Sequence, residues 1–242
     1  MLTKGLHTLE LDEVQIYFIS SLQLPDRIDH FTSLLSKTEI QRLHKYHFKK
    51  DQNTFVIGRG WLRTILAFQL NTSPESIVFN YSIHGKPLLS NTSKLYFNLS
   101  NSVDLIAIAI TRRSDIGVDL EYKNPDMDHD SVSQTVFSRP EIEFLDKSVG
   151  NQKIDRFFEL WTRKEAFIKA LGYGFSMPID LKEINVLGQK VALINHSPGH
   201  EVAIAPDWAL HSFEPGPGYK AAISLRNLSV KISYLRDHEI AI

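Results

Sequence analysis

Three carboxylates in two short segments are the residues best suited to chemistry. Asp119 and Glu121 lie in Ile116-Gly-Val-Asp-Leu-Glu121, and Glu165 lies in Trp161-Thr-Arg-Lys-Glu-Ala-Phe-Ile-Lys169. If the first segment is a strand, its two-residue period sends Asp119 and Glu121 to one face, and Val118 and Leu120 to the other, toward a core. If the second is a helix, Trp161, Glu165 and Lys169 recur at i, i+4 and i+8 on one stripe. Where strand and helix meet, three hard oxygen ligands would converge beside a lysine. That donor set suits Mg²⁺, which takes few carboxylates, keeps several waters and shares its shell with substrate phosphates. Each piece also has a plainer reading. Asp-x-Glu can mark a solvated strand end, and Lys164, Glu165 and Lys169 could form an exposed face whose Glu-to-Lys pairing is worth about 0.3 kcal/mol.

The elements that must position these groups can be read from periodicity. Residues 14–19 alternate like a strand, and Ser36 can cap a helix running through Glu39, Arg42 and Lys45. A second helix over 51–70 places Phe55, Ile57, Trp61, Leu62, Ile65, Leu66 and Phe68 at helical spacing, with Arg59 and Arg63 four apart. Strands follow at 76–81, 95–100, 104–111 and 115–122, with a turn at His84-Gly-Lys-Pro87. Further on, Ser138-Arg-Pro-Glu141 has the form of an N-cap and first turn opening a helix over 141–147. Residues 148–152 read as a loop, 155–171 as the helix of the second acidic motif, and Gly172-Tyr-Gly174 as its end. Strands are expected at 183–187, 190–193, 201–205, 208–214, 219–225 and 230–234. Helices followed by strands, twice over, predict an α+β fold of two related halves, divided as 1–115 and 116–242.

Bulk properties exclude several classes. A length of 242 residues supports a sizeable core, and 43% hydrophobic with 23% charged residues is ordinary for a globular protein. A formal charge of −1 argues against a general nucleic-acid binder. With no cysteine there are no disulfides, thiolate metal sites or cysteine nucleophile. The first twelve residues lack the apolar core of a secretory signal, and no apolar run approaches the ~18 residues of a membrane span. A cytoplasmic, soluble, monomeric protein without nucleic-acid or membrane partners is the expectation. The histidines give no zinc spacing: His44-x-x-His47 is isolated, and Pro198-Gly199 interrupts His196 and His200. There is no Gly-x-Ser-x-Gly elbow, P-loop or dinucleotide fingerprint.

Taken in order, Phe97-Asn-Leu-Ser100, Gly117-x-Asp119-x-Glu121, Phe137-Ser-x-x-Glu141 and Trp161-x-x-Lys164-Glu165-Ala166-x-x-Lys169 resemble the signature of the 4′-phosphopantetheinyl transferases. The length and the Gly85-Lys-Pro87 turn are similar to the larger, surfactin-synthetase type. The likeness spans about residues 36–174, with a late Gly218-Tyr-Lys-Ala-Ala222 segment besides. It implies two similar α/β-sandwich halves about a pseudo-twofold axis, with coenzyme A and Mg²⁺ (or Mn²⁺) in the cleft between them. It further implies transfer of the phosphopantetheine arm of coenzyme A to a serine of an apo acyl or peptidyl carrier protein, with release of adenosine 3′,5′-bisphosphate.

In that scheme Asp119, Glu121 and Glu165 match the metal-binding acids. Glu165 is the candidate base for the serine hydroxyl, directly or through a metal-bound water, and Lys169 the group that meets the leaving phosphate. Lys164 is expected at a phosphate oxygen. Arg42, Arg63 and Lys86 with Pro87 are the candidates for cradling the coenzyme, with Lys86 at its adenine end; Ser100 and Asn101 lie in the matching Phe-Asn-x-Ser segment. A solvated helix face is the rival reading for Arg59 and Arg63. A carrier would dock on residues 124–158, where Val136, Phe137, Phe144 and Leu145 offer apolar contacts, although Phe137 and Leu145 read better as core.

Two positions depart from the family pattern. Asn101 stands where a histidine is expected to meet the 3′-phosphate, and Thr54 where an arginine is often found; both remove positive charge. They motivate an alternative, a non-catalytic carrier-binding homologue with impaired coenzyme A binding. An unrelated Mg²⁺-dependent phosphohydrolase fits the acids but not the motif order.

Overall fold

The structure is a computed structural model that describes residues 5–22, 27–89, 94–174, 180–194, 207–226 and 229–240. In chain order its elements are β1 (Glu13–Ser20), α1 (Ile28–Ser33), α2 (Lys37–Leu43), α3 (Lys49–Leu70), β2 (Phe79–Tyr81), β3 (Pro87–Leu89), β4 (Tyr96–Ser102), β5 (Leu105–Thr111) and β6 (Ile116–Tyr122). There follow α4 (His129–Val136), α5 (Arg139–Leu145), α6 (Asn151–Leu171), β7 (Ile184–Asn185), β8 (Ala192–Leu193), β9 (Trp208–Phe213), β10 (Tyr219–Arg226) and β11 (Lys231–Arg236). The expected strand at 201–205 and the pair His196 and His200 lie outside the described residues.

The chain divides into two units. The first comprises Met1–Asn80, Pro87–Arg113 and Lys231–Ile242; the second comprises Tyr81–Lys86 and Ser114–Val230. This differs from a single division at 115/116 in that Tyr81–Lys86 falls with the second unit and the segment from Lys231 with the first. β11 does not belong with the second half, because it runs parallel to β1 in register Ile16↔Tyr234 and completes the first unit's sheet.

In the first unit the sheet order is β11-β1-β5-β4. Leu105-Ile-Ala-Ile-Ala-Ile-Thr111 is rich in β-branched residues and sits in the middle, with Ile106, Ile108 and Ile110 fully buried. Those isoleucines share a face and a core with Tyr17, Ile19 and Phe97, and with Ile57, Trp61, Leu62, Ile65 and Leu66 of α3. The Ser36 cap forms as the sequence predicts: its backbone N–H donates to Glu39 Oε2 at 2.9 Å, and its hydroxyl accepts from the Glu39 N–H at 3.3 Å. α3 begins two residues before the expected 51. Residues 74–76 form a 3₁₀ turn at Pro74, which confines the expected 76–81 strand to Phe79–Tyr81.

In the second unit the antiparallel sheet β6-β10-β9 carries α6 on one face. The core joins Phe157, Phe158, Leu160 and Phe167 of α6 to Trp208 and Leu210 of β9 and to Ile184 and Val186. Phe137 and Leu145 are each 1% exposed and belong to this core, so they offer nothing to a docking partner. One expected boundary moves and one helix is new. α6 starts at Asn151, inside the expected loop, and the polar stretch 129–136 is helical, its N-terminus capped by Asp128 Oδ1 accepting from the Ser131 N–H at 3.0 Å.

Candidate functional site

In the second unit, α6 lies across the face of β6 from which Gly117, Asp119, Glu121 and Lys123 project. Ile116, Val118 and Leu120 occupy the opposite face and are fully buried. Gly117 lies under Ala166 and Ala170 of the helix, and Lys123 pairs with Asp155 nearer the helix start. The two elements thus run in opposite directions, and the acids of the strand meet the middle of the helix.

Asp119 is 2% exposed, and Lys169 Nζ donates to its Oδ1 at 2.6 Å. Glu165, one turn before Lys169, is half-buried in the same place. Burial, and then the charge of Asp119, push its carboxyl above the ordinary carboxylate range, while Lys169 opposes them. Asp119, Glu165 and Lys169 are therefore together: the strand face and the helix stripe that the two periodicities define do meet here. Glu121 lies two residues along the same strand face, half-buried, with Lys220 as its cross-strand partner. Among the described residues no group of three or more His, Cys, Asp or Glu side chains is gathered for a metal ion. The donor set still fits Mg²⁺ in one respect: two carboxylates share one neighbourhood with a single ammonium, leaving negative charge that hard oxygen ligands present to a divalent cation.

Three cations expected at phosphates are committed elsewhere. Lys164 is 2% exposed; its Nζ pairs with Glu141 Oε2 at 2.9 Å and donates to Leu181 O at 2.6 Å and Ile184 O at 2.5 Å. An ammonium has three donors, and these partners use them all. Glu141 is itself fully buried, accepting from the Ser138 N–H at 2.7 Å and the Val186 N–H at 2.8 Å, so Lys164 ties α5, α6 and the 181–186 segment together. Arg63 is 1% exposed and grips Glu39 Oε2 through Nε at 2.9 Å and Nη2 at 2.6 Å, while Nη1 donates to Pro74 O and Ile77 O. Neither the phosphate role nor the solvated-face reading fits Arg63. Lys86 turns its ammonium to the C-terminal end of α6, donating to Ala170 O at 2.8 Å and Ile116 O at 3.3 Å, and burial lowers its pKa to about 8. Its ammonium is thus engaged by two backbone carbonyls. Pro87 opens β3 beside it.

Arg42 and Asn101 are brought together by the structure. In the first unit they line a cavity of about 360 Å³ with Tyr46, Lys50, Thr54 and Arg59. Arg42 lies over the Phe55 ring at 5.7 Å, and Arg59 lies between Phe55 at 5.8 Å and Phe79 at 5.4 Å. Arg42, Arg59 and Lys50 bring cationic groups to this lining, of which the helical pattern of α3 signalled only Arg59. Asp51 lines it too, Lys50 pairs with Asp104 Oδ1 at 3.2 Å, and Arg59 Nε lies 4.0 Å from Glu39 Oε1. Ser100 alternates with Asn101 along β4, so it faces the other side of the sheet and is 5% exposed.

Comparison with known proteins gives a consistent result. The family profile described as "4'-phosphopantetheinyl transferase superfamily" matches residues 115–223, and that described as "4'-phosphopantetheinyl transferase, N-terminal" matches residues 24–113. The chain is 34% identical to the 4'-phosphopantetheinyl transferase HetI of Nostoc sp., an alignment covering 90% of each chain. It is 26% identical to the 4'-phosphopantetheinyl transferase Sfp of Bacillus subtilis, over 81% of this chain and 84% of that one. It is also 35% identical to the 4'-phosphopantetheinyl transferase AcpT of Salmonella typhimurium, over 47% of this chain and 58% of that one.

Proposed function

The chain belongs to the 4′-phosphopantetheinyl transferase superfamily and is an enzyme of that kind; from that premise we propose that it moves the phosphopantetheine arm of coenzyme A to a serine of an apo carrier protein, using Asp119, Glu165 and Lys169. The serine Oγ forms a bond to the β-phosphorus of coenzyme A as the bond from that phosphorus to the bridging oxygen breaks. The electron pair leaves with adenosine 3′,5′-bisphosphate, and the serine proton passes to Glu165. Glu165 is the half-buried carboxylate beside Asp119 and Lys169, positioned to accept a proton from a hydroxyl brought to that site. Lys169 places a positive charge where the leaving phosphate gains a negative one.

Asp119 and Glu165 would hold Mg²⁺; Glu121 lies two residues further along the same strand face but is not gathered with them. When bound, the metal supplies Lewis-acid stabilisation of the phosphoryl oxygens. Arg42, Arg59, Lys50 and Asn101 would take the coenzyme's phosphates in the cavity they line.

The observation that carries this reading is the convergence of Asp119, Glu165 and Lys169 from two segments 50 residues apart. Its test is incubation with coenzyme A, Mg²⁺ and a panel of apo carrier proteins, followed by intact-mass measurement. Addition of one phosphopantetheine is expected; no addition to any carrier that a reference transferase modifies would refute it. A non-catalytic carrier-binding role, suggested by Thr54 and Asn101, predicts carrier binding without coenzyme affinity in calorimetry. The three cations that still line the cavity favour the catalytic reading over it.

A further inference from the structure

We propose that Gly117 is a positioning residue, whose missing side chain sets the strand-to-helix spacing that holds Glu165 against Asp119. This rests on the acid-site reading above and extends it to a residue that carries no functional group.

A methyl group built on Gly117 would lie 1.9 Å from Ala166 O and 2.4 Å from Ala170 N. Both are backbone atoms of α6 and cannot rotate aside. Real side-chain contacts of this kind stay at 3.0 Å or more, so the helix would have to retreat by about 1 Å. Conformation is not the reason for glycine here, since Gly117 is not among the residues with positive φ. What is required is space. Ala166 directly follows Glu165 and Ala170 directly follows Lys169, so the backbone atoms in closest approach adjoin the two functional residues of the helix. On the strand, Gly117 lies two residues before Asp119 on the same face. The rest of the seam is also small: Ala166 and Ala222 are fully buried, and Ala222 is the cross-strand partner of Asp119. A retreat of α6 would therefore be a displacement of Glu165 and Lys169 from Asp119.

The comparison glycine is Gly60 of α3, where a methyl group would meet the side chain of Phe31 at 2.3 Å within the first unit. The experiment uses the full chain as Gly117→Ala, as Ala166→Ser (the smallest enlargement from the helix side) and as Gly60→Ala. Mg²⁺ binding to the coenzyme-free protein is measured by calorimetry, kcat by the transfer assay, and folding by thermal unfolding. Gly117→Ala is expected to weaken Mg²⁺ binding roughly 10–100-fold and to lower kcat about 100-fold. Ala166→Ser should do the same to a smaller degree, and it carries the test where Gly117→Ala does not fold. Gly60→Ala should lose thermal stability alone. Wild-type Mg²⁺ affinity and kcat in Gly117→Ala, or in Ala166→Ser where that variant carries the test, would overturn the positioning role. A wild-type protein that bound no Mg²⁺ would instead overturn the acid-site reading and this inference with it.

Discussion

The two units solve one packing problem in two ways. Each lays a long helix on a sheet, mixed in the first unit and antiparallel in the second, and each closes that helix alike. A residue in the left-handed region follows the last turn, Asn71 after α3 and Gly172 after α6, and a cation donates to the carbonyl of the penultimate residue. Arg112 Nη2 reaches Gln69 O at 3.2 Å, and Lys86 Nζ reaches Ala170 O at 2.8 Å. The helix-to-sheet seams differ. α3 meets its sheet through Ile57, Trp61, Leu62 and Ile65 against Ile106, Ile108 and Tyr17. α6 meets β6 through Gly117, Ala166 and Ala170, with Asp119, Glu165 and Lys169 at the same seam. A seam filled by large apolar groups is rigid and inert. Small residues bring backbones together and leave room for polar groups between elements, at a cost in buried apolar surface. One unit is built for stability and carries a surface cavity lined by Arg42, Lys50 and Arg59, the other for convergent acids.

That contrast can be broken most severely at Glu165. Glu165→Gln should lower kcat about 10²–10⁴-fold, the usual worth of a general base, without unfolding the protein. Stability should move the other way. Because the folded pKa is raised, the carboxyl costs stability at pH values above the ordinary carboxylate range, and that cost disappears at lower pH. The variant should therefore melt higher than wild type at neutral pH in the absence of metal, and equally near pH 4. An unchanged kcat would remove the base, and a lower melting temperature at neutral pH would remove the electrostatic account.

Arg63→Met and Lys164→Met test whether the buried ion pairs are structural in both units. Each leaves a buried glutamate without its cation and should cost about 3–5 kcal/mol in denaturant unfolding, with the KM for coenzyme A little changed. A large rise in that KM with stability intact would return those residues to phosphate binding. Lys86 gives a smaller, pH-dependent effect. Between its folded pKa of about 8 and the ordinary 10.5, the folded protein has lost a proton that the unfolded chain retains. Stability should therefore rise with pH across that window, by on the order of 2–3 kcal/mol, and Lys86→Met should abolish the rise. Stability that falls over this range would place the lysine in solvent. The mildest change is Asn101→His, which adds a titratable cation to the cavity with Arg42 and Arg59; it should lower the KM for coenzyme A a few-fold and leave kcat alone. An unchanged or raised KM would detach Asn101 from phosphate recognition.

What sequence periodicity reveals and what it hides follows from range. Asp119 and Glu165 were legible because each belongs to a regular element whose period decides its face, and β5 because a short apolar run enriched in isoleucine suits a buried strand. Helix α4 escaped notice because His-Asp-Ser-Val-Ser-Gln-Thr-Val is short and carries only two apolar residues, Val132 and Val136; β11 was expected as a strand, but its choice of sheet depends on a partner more than 200 residues away. The fates of Lys164, Arg63 and Lys86 were hidden for the same reason. Whether a cation serves a ligand or a neighbour depends on where Glu141, Glu39 and the end of α6 arrive, and no local pattern carries that information.

The most direct test of the central claim, that the paired acids at the α6–β6 seam perform metal-dependent transfer, is the intact mass of an apo carrier protein after incubation with coenzyme A. Wild-type protein should add one phosphopantetheine with Mg²⁺ and none with a chelator, and Asp119→Asn should add none under either condition. Transfer by Asp119→Asn at the wild-type rate would contradict it.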